Sequence, residues 1–345
     1  MKKVYQIGPS PKLKGGIATV IKNVNQSSGI NKKYKVLNLE TLGKNKIICF
    51  FLSCIKALKI SSDSILHFHV ASNGSFVRKY IIFRLSNKKC KKIFHLHGGG
   101  FIEFYKNSNS FVKKCVKNMI DDSDLVINVS DYMKNELENE IYIPKDKSVR
   151  IYNGINYSGT KRTFEHKENT IVFMGKIVEY KGIYDLLEII DGIKYELRKE
   201  KWKVKIAGEG EIDKVNSILQ EKNILDIVEV IGWVSGERKK RLLETSKIFI
   251  IPSHVESFGI VAIEAMEKGN FIISSDAGAL PEIITNWENG YVVKNNNHKV
   301  YKETIIKLIN NQSLLKNIYF NNINEAKKYS VDEMNSCFLR QYNRL

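Results

Sequence analysis

No apolar run in this 345-residue chain approaches the ~20 residues that a membrane-spanning helix requires. The stretch from Met1 to Gly8 has too short an apolar run for a secretory leader and reads as a strand, so neither secretion nor a membrane span is expected. Cysteine is sparse and unpaired in spacing. Cys49, Cys54, Cys90, Cys115 and Cys337 are odd in number and form no Cys-x-x-Cys, which argues against a disulfide framework or zinc cluster and for a reducing cytosolic compartment. The Gly-x-Gly-x-x-Gly fingerprint is missing too, which argues against a nicotinamide enzyme. Acids are what the first half lacks most. Residues 1–160 hold 27 Lys and Arg against 11 Asp and Glu, whereas residues 161–345 hold 28 against 26. Such asymmetry points to a polyanion beside the first half, either nucleic acid or an anionic membrane surface. No nucleic-acid recognition motif accompanies the lysines, and the aromatics do not interleave with the basic runs.

Short apolar runs do recur, separated by helical patterns: Lys3 to Ile7, Tyr34 to Leu39, Ser64 to Val70, Lys92 to Leu96, Leu125 to Val129 and Ser148 to Tyr152. A second set follows at Thr170 to Met174, Trp202 to Ala207, Ile227 to Ile231, Lys247 to Ile251, Asn270 to Ser274 and Gly290 to Val293. Alternation of this kind predicts an α/β chain with parallel sheets covered on both faces. The polar stretch from Asn156 to Asn169 has no periodicity and reads as an interdomain linker. One expected domain therefore spans 1–157 and the other 158–330.

The most informative stretch is Ser253-His254-Val255-Glu256-Ser257-Phe258-Gly259-Ile260-Val261-Ala262-Ile263-Glu264-Ala265. It follows a buried-strand run and opens a helix near Gly259. Glu256 falls in the loop before the helix and Glu264 in its second turn. The amides of Ser257, Phe258, Gly259 and Ile260 at the helix start, with the dipole's positive end, suit a phosphate. A ligand bearing both hydroxyls and phosphates, such as a sugar nucleotide, matches that set. Other motifs lie at strand ends. Gly15 and Gly16 precede a helix expected near Thr19; His95-Leu96-His97-Gly98-Gly99-Gly100 places His97 where it can reach a ligand and His95 in the core. Asn73, Ser75 and Arg78 follow a strand and a small-residue turn, where acceptor binding and simple capping by Ser75 are both open. Lys176 and Lys181 flank a strand-to-helix turn and can converge on a diphosphate. The segment Lys46 to Ile60 is basic and strongly apolar, and either a membrane interface or a core position suits it.

The two glutamates, separated by seven intervening residues, resemble the Glu-x7-Glu signature of retaining glycosyltransferases of family four, and the likeness extends over nearly the whole chain. The resemblance implies the GT-B fold, two Rossmann-like domains facing across a cleft, with the final helix, 331–345, returning to the first domain. It implies a donor that is a nucleoside diphosphate sugar, UDP- or GDP-linked. Glu264 would hold the ribose, Lys176 and Lys181 the diphosphate, Glu256 the sugar hydroxyls and His97 the sugar near its reacting carbon. Lys176 stands where the family normally has arginine, so a point charge replaces a bidentate contact. The resemblance further implies same-face displacement. Metal independence is expected, because no Asp-x-Asp metal motif is read in the chain, and no cofactor is expected. The acceptor is expected to be a saccharide, polyprenyl-diphosphate-linked, for capsule or O-antigen, met by a hexosyltransferase peripheral on the inner face of the cell membrane. A sugar-nucleotide epimerase or hydrolase of the same fold and a non-enzymatic nucleic-acid-binding protein are the alternatives.

Overall fold

The computed structural model describes residues 1–43, 45–159 and 163–345, so Thr160, Lys161 and Arg162 of the expected linker lie outside the described residues. The strands are β1 (Lys3–Pro9), β2 (Lys35–Leu42), β3 (Ile65–Val70), β4 (Lys91–Leu96), β5 (Leu125–Asn128), β6 (Ser148–Arg150), β7 (Glu168–Met174), β8 (Lys203–Ala207), β9 (Val228–Gly232), β10 (Ser246–Ile251), β11 (Phe271–Ser275) and β12 (Gly290–Val293). The helices are α1 (Gly16–Asn25), α2 (Ser28–Lys33), α3 (Lys46–Leu58), α4 (Gly74–Leu85), α5 (Phe101–Asn107), α6 (Ser110–Asp121), α7 (Asp131–Glu140) and α8 (Ile183–Asp191). They continue as α9 (Lys194–Lys199), α10 (Ile212–Glu221), α11 (Gly236–Thr245), α12 (Ile260–Glu267), α13 (Leu280–Ile283), α14 (His298–Ile309), α15 (Gln312–Ala326) and α16 (Val331–Arg344).

The chain divides into two units, Met1–Gly154 with Val331–Leu345, and Ile155–Ser330. Each contains one six-stranded sheet, ordered β2-β1-β3-β4-β5-β6 in the first and β12-β11-β10-β7-β8-β9 in the second. Every strand pair is parallel. In such sheets, ligands collect where the strand order reverses, outside the carboxyl ends. The reversal falls between β1 and β3 in the first unit and between β7 and β10 in the second.

The sequence explains the burial. Every residue of β3 and β5 is buried, as strands covered on both faces demand. Helix α16 joins the core of the first unit through Met334, Phe338 and Tyr342, which pack with Val4, Ile65, Ile93 and Ile127. Cys337, on the same helix, is only partly covered. Helix α1 starts at Gly16, three residues before the expected Thr19, because the loop already turns at Gly15 and Thr19 N donates to Gly15 O at 3.0 Å.

Helix α3 settles an open alternative. Only Ser53 and Ala57 are buried along it, while Ile47 is 81 % exposed, Phe51 66 % and Leu58 64 %, and Ile48, Leu52 and Ile55 are exposed as well. The core position is thereby overturned: the helix leans on β2 and α4 by its small residues and turns its large ones outward. No described helix is long and apolar enough to cross a membrane.

The packing of α16 is testable. Phe338→Ala removes a side chain with no exposed surface and should cost about 3–5 kcal/mol in urea unfolding; a loss below about 1 kcal/mol would show that the helix is peripheral to the first unit.

Candidate active site

In the second unit the loops after β7 and β10, on either side of the crossover, bring Lys181 to Glu256. Lys181 Nζ donates to Glu256 Oε2 at 2.9 Å and to Val255 O at 3.2 Å. Glu256 Oε1 accepts from the amides of Ser257 at 3.1 Å and Gly259 at 3.2 Å. Both side chains are mostly covered, at 22 % and 16 % exposure, so the pair is stronger than a solvated one. Two close approaches lock it in place. Gly182, at φ +73°, lies against the carbonyl of Pro252, and Gly278, at φ +57°, against that of Glu256; a Cβ at either would strike backbone. His254 N also donates to Tyr180 O at 3.0 Å, and Ser275 Oγ donates to Ser253 O.

This geometry corrects one expectation. The Gly259 amide is not free for a phosphate, because Glu256 of its own loop already accepts from it. Lys181, expected on a diphosphate, is paired here with the Glu256 carboxylate. Lys176 is exposed in the turn after β7 and has no ion pair among the described residues. That turn is shaped by hydrogen bonds with the loop after β8, Gly175 N to Ala207 O and Ile177 N to Glu209 O, so the glycines of that loop serve the Lys176 turn. Glu264 is the fifth residue of α12, which begins at Ile260 just after Gly259 and Phe258, and its carboxylate is paired with Lys239 of α11.

No motif singles out Lys239, which sits in a plain charged helix. The sequence also hid an arrangement around Asp185, whose two oxygens receive His254 Nε2 and His298 Nε2, each at 2.7 Å. The three residues come from β10's loop, α8 and α14, and they tether the Glu256 loop from its far side.

In the first unit, β3 and β4 place four histidines on one face. Gln6 of β1 gives the network its direction: its Nε2 donates to the Tyr342 hydroxyl at 3.1 Å and its Oε1 accepts from His69 Nε2 at 2.8 Å. His69 Nδ1 must then accept from His97 Nε2, at 2.9 Å. Tyr342 passes its own proton toward His67 Nδ1 at 2.7 Å, and His67 Nε2 donates to His95 Nδ1 at 2.9 Å. His97 is left with Nδ1 as an acceptor, and it keeps part of its surface open at the end of β4. His95 is fully buried, as expected for a core residue, with Nε2 lacking a partner.

Ligand atoms of His67, His69 and His95 lie within 4.8 Å of one another, a spacing a metal ion could use. Every ring nitrogen among them except His95 Nε2 is engaged in the hydrogen bonds above, so a metal would have to displace the network. The sequence does contain one Asp-x-Asp triplet, Asp122-Ser123-Asp124, contrary to the reading above. It stands at the amino end of β5, where Asp122 pairs with Arg84 and Asp124 with Lys91, on the opposite edge from the strand ends that hold the other motifs.

Gly15 has φ +134°, and a Cβ at Gly15 or Gly16 would meet open space. Asn73, at φ +54°, is the residue before α4 and makes no side-chain cap. Ser75 is not the cap that one reading gave it; it lies inside the first turn and accepts from Lys79 Nζ at 2.5 Å. Arg78 is partly buried on the same helix.

Comparison with known proteins agrees with this layout. The family described as "Glycosyl transferases group 1" matches residues 159–325, and "Glycosyltransferase Family 4" matches residues 40–158. The chain is 30 % identical over 309 residues to an uncharacterised glycosyltransferase of Methanocaldococcus jannaschii, covering 88 % of this chain and 82 % of that protein. It is 25 % identical to the poly(ribitol-phosphate) alpha-N-acetylglucosaminyltransferase of Staphylococcus aureus, covering 99 % of this chain and 67 % of that protein. Among solved structures, the Anabaena protein HepE in complex with UDP superimposes with a TM-score of 0.77 at 14 % identity over 100 % of both chains. TarM does so with 0.71 at 21 % identity, over 87 % of this chain and 59 % of that one. The shared fold is GT-B.

The histidine network makes stability depend on pH. Burial holds His67 and His97 down to about 3, and His69 and His95 well below 6.5. The unfolded chain binds these protons first, so the stability that the neutral rings contribute is complete above pH 6.5 and is lost as pH falls toward 3. Urea unfolding should weaken through that window by up to ~1.4 kcal/mol per pH unit for each ring. A flat profile between pH 6.5 and 4 would mean that the rings are charged in the fold.

Proposed function

The chain belongs to the group 1 and family four glycosyltransferases, and from that premise we propose a retaining enzyme that moves a hexosyl group from a UDP- or GDP-linked sugar to a saccharide acceptor. The observation that carries the reading is the Lys181–Glu256 pair at the crossover of the second sheet. A donor can exchange partners with it. Its diphosphate draws on the Lys181 ammonium and on Lys176, and its sugar hydroxyls donate to the oxygens of Glu256. Glu264, held by Lys239, accepts from the ribose hydroxyls.

The C1–O bond to the diphosphate then breaks and its electron pair leaves with the phosphate oxygen, where the two lysines stabilise the growing charge. The acceptor oxygen bonds to C1 on the same face, and its proton passes to that phosphate oxygen. No step requires a cofactor or a metal, since the ammonium groups supply the positive charge.

For the acceptor we propose a polyprenyl-diphosphate-linked saccharide of capsule or O-antigen type, which accords with the polymer-building relatives. The exposed apolar face of α3, flanked by Lys46, Lys56 and Lys59, suits the anionic inner membrane surface, with lysine stems reaching the head groups. Nucleic acid is not proposed as a partner.

Lys181→Ala or Glu256→Gln should lower transfer by ~10²- to 10³-fold with the fold intact, and NMR of the product should show the donor's anomeric configuration kept. Inverted product would end the retaining assignment. A matching nucleotide sugar at 100 times its dissociation constant should stabilise the protein by ~2.7 kcal/mol in thermal unfolding. Phe51→Asp should reduce sedimentation with anionic lipid vesicles and leave transfer to a soluble acceptor unchanged; equal sedimentation would refute the membrane role of α3.

A further inference from the structure

From Ser64 to Ile102 the sequence contains no Asp or Glu, yet this stretch spans β3, α4, β4 and the glycine loop. Within it, two cations fold back onto the first turn of the twelve-residue helix α4. Lys79 is 2 % exposed, and its Nζ reaches Ser75 Oγ one turn earlier at 2.5 Å. The Arg78 guanidinium comes within 3.3 Å of where a Cβ on Gly74 would stand, and its Nε is buried without a hydrogen-bond partner. The first turn holds no acid and no capping side chain. Neither cation has a carboxylate partner among the described residues.

Electrostatically this is the wrong way round. A helix start is the positive end of the dipole and favours anions, and a buried ammonium is expensive unless paired. Three positive features therefore converge where no described carboxylate neutralises them. Burial, with Arg78 adding repulsion, pushes Lys79 down to about 7, and its charge in turn depresses His69 and His97. The place is the carboxyl end of β3, beside the crossover between β1 and β3, where open α/β sheets receive ligands.

We propose that Lys79, Arg78 and the start of α4 form a binding site for a phosphate or diphosphate group carried by the acceptor. The missing negative charge is supplied by the substrate: the phosphate oxygens accept from Lys79 Nζ, from Arg78 Nε and from the amides of the first turn. Lys79 is thereby kept as an ammonium. The site deepens the acceptor reading above and rests on it for the identity of the ligand, while the anion site itself stands on the geometry.

The test uses the full chain with UDP at saturation, so that the second unit's cations are occupied, and titrates inorganic pyrophosphate while following the lysine ε-methylene signals by NMR. The expected result is that Lys79 shifts to its ammonium position on binding. Affinity should fall about tenfold in Lys79→Met and in the partly exposed Arg78→Gln, and hold in Lys88→Met. Unchanged affinity in both variants, or no binding once UDP is saturating, overturns the site. A second arm compares a short prenyl-diphosphate-linked sugar with pyrophosphate. Tighter binding of the former that Lys79→Met abolishes assigns the site to the acceptor, and equal binding refutes that assignment. Because neither arm measures transfer, failure of the glycosyltransfer reading would appear separately, as pyrophosphate bound at Lys79 with no sugar moved.

Discussion

A carboxylate bonded to two backbone amides and one ammonium is fixed in position, and the second unit is built to hold Glu256 in that arrangement. The pair with Lys181 joins residues far apart in sequence and depends on β7 lying next to β10. Parallel order alone would leave the two loops to wander. Gly182 lets the loop after β7, and Gly278 the loop after β11, press against a carbonyl of the loop after β10, and Asp185 restrains the same segment through His254 and His298. An ammonium is suited to the place because it can rotate from one oxygen to another, whereas a guanidinium fork would be committed to one plane.

The first unit follows a different electrostatic rule. Its histidines are kept neutral by burial and directed by Gln6 and Tyr342, so the polarity that reaches the end of β4 is a fixed dipole and not a charge that changes with pH. The relative placement of acids follows suit. The second unit pairs many of its cations with a nearby carboxylate, as at Lys239, Lys222 and Lys268, while the first leaves the buried Lys79 and its neighbour Arg78 without one among the described residues.

Much of the fold was legible because parallel strands covered on both faces must be apolar throughout, and short runs such as Leu125 to Asn128 admit no other reading. The family signature was legible for a similar reason: Glu256 and Glu264 are local, with seven residues between them across one loop and one turn. What escaped was non-local or directional. Lys239, Asp185 and Tyr342 acquire meaning only from partners distant in sequence, and no spacing rule announces them. The apolar period of Lys46 to Ile60 announces a helix without saying what its large side chains face, since a core and an exposed surface demand the same stripe. The start of α1 was misplaced because Gly16, a poor helix former, still begins it once Gly15 has made the turn.

Tyr342 lies on the final helix, yet its hydroxyl completes a network whose other members come from β1, β3 and β4. During synthesis, then, the ribosome releases a finished set of strands for the first unit long before the group that satisfies Gln6 and His67 exists. Residues 155–330 emerge meanwhile and can fold as a self-sufficient body. The first unit must wait with polar groups exposed in its unfinished core, so the half that is made first is the half that matures last.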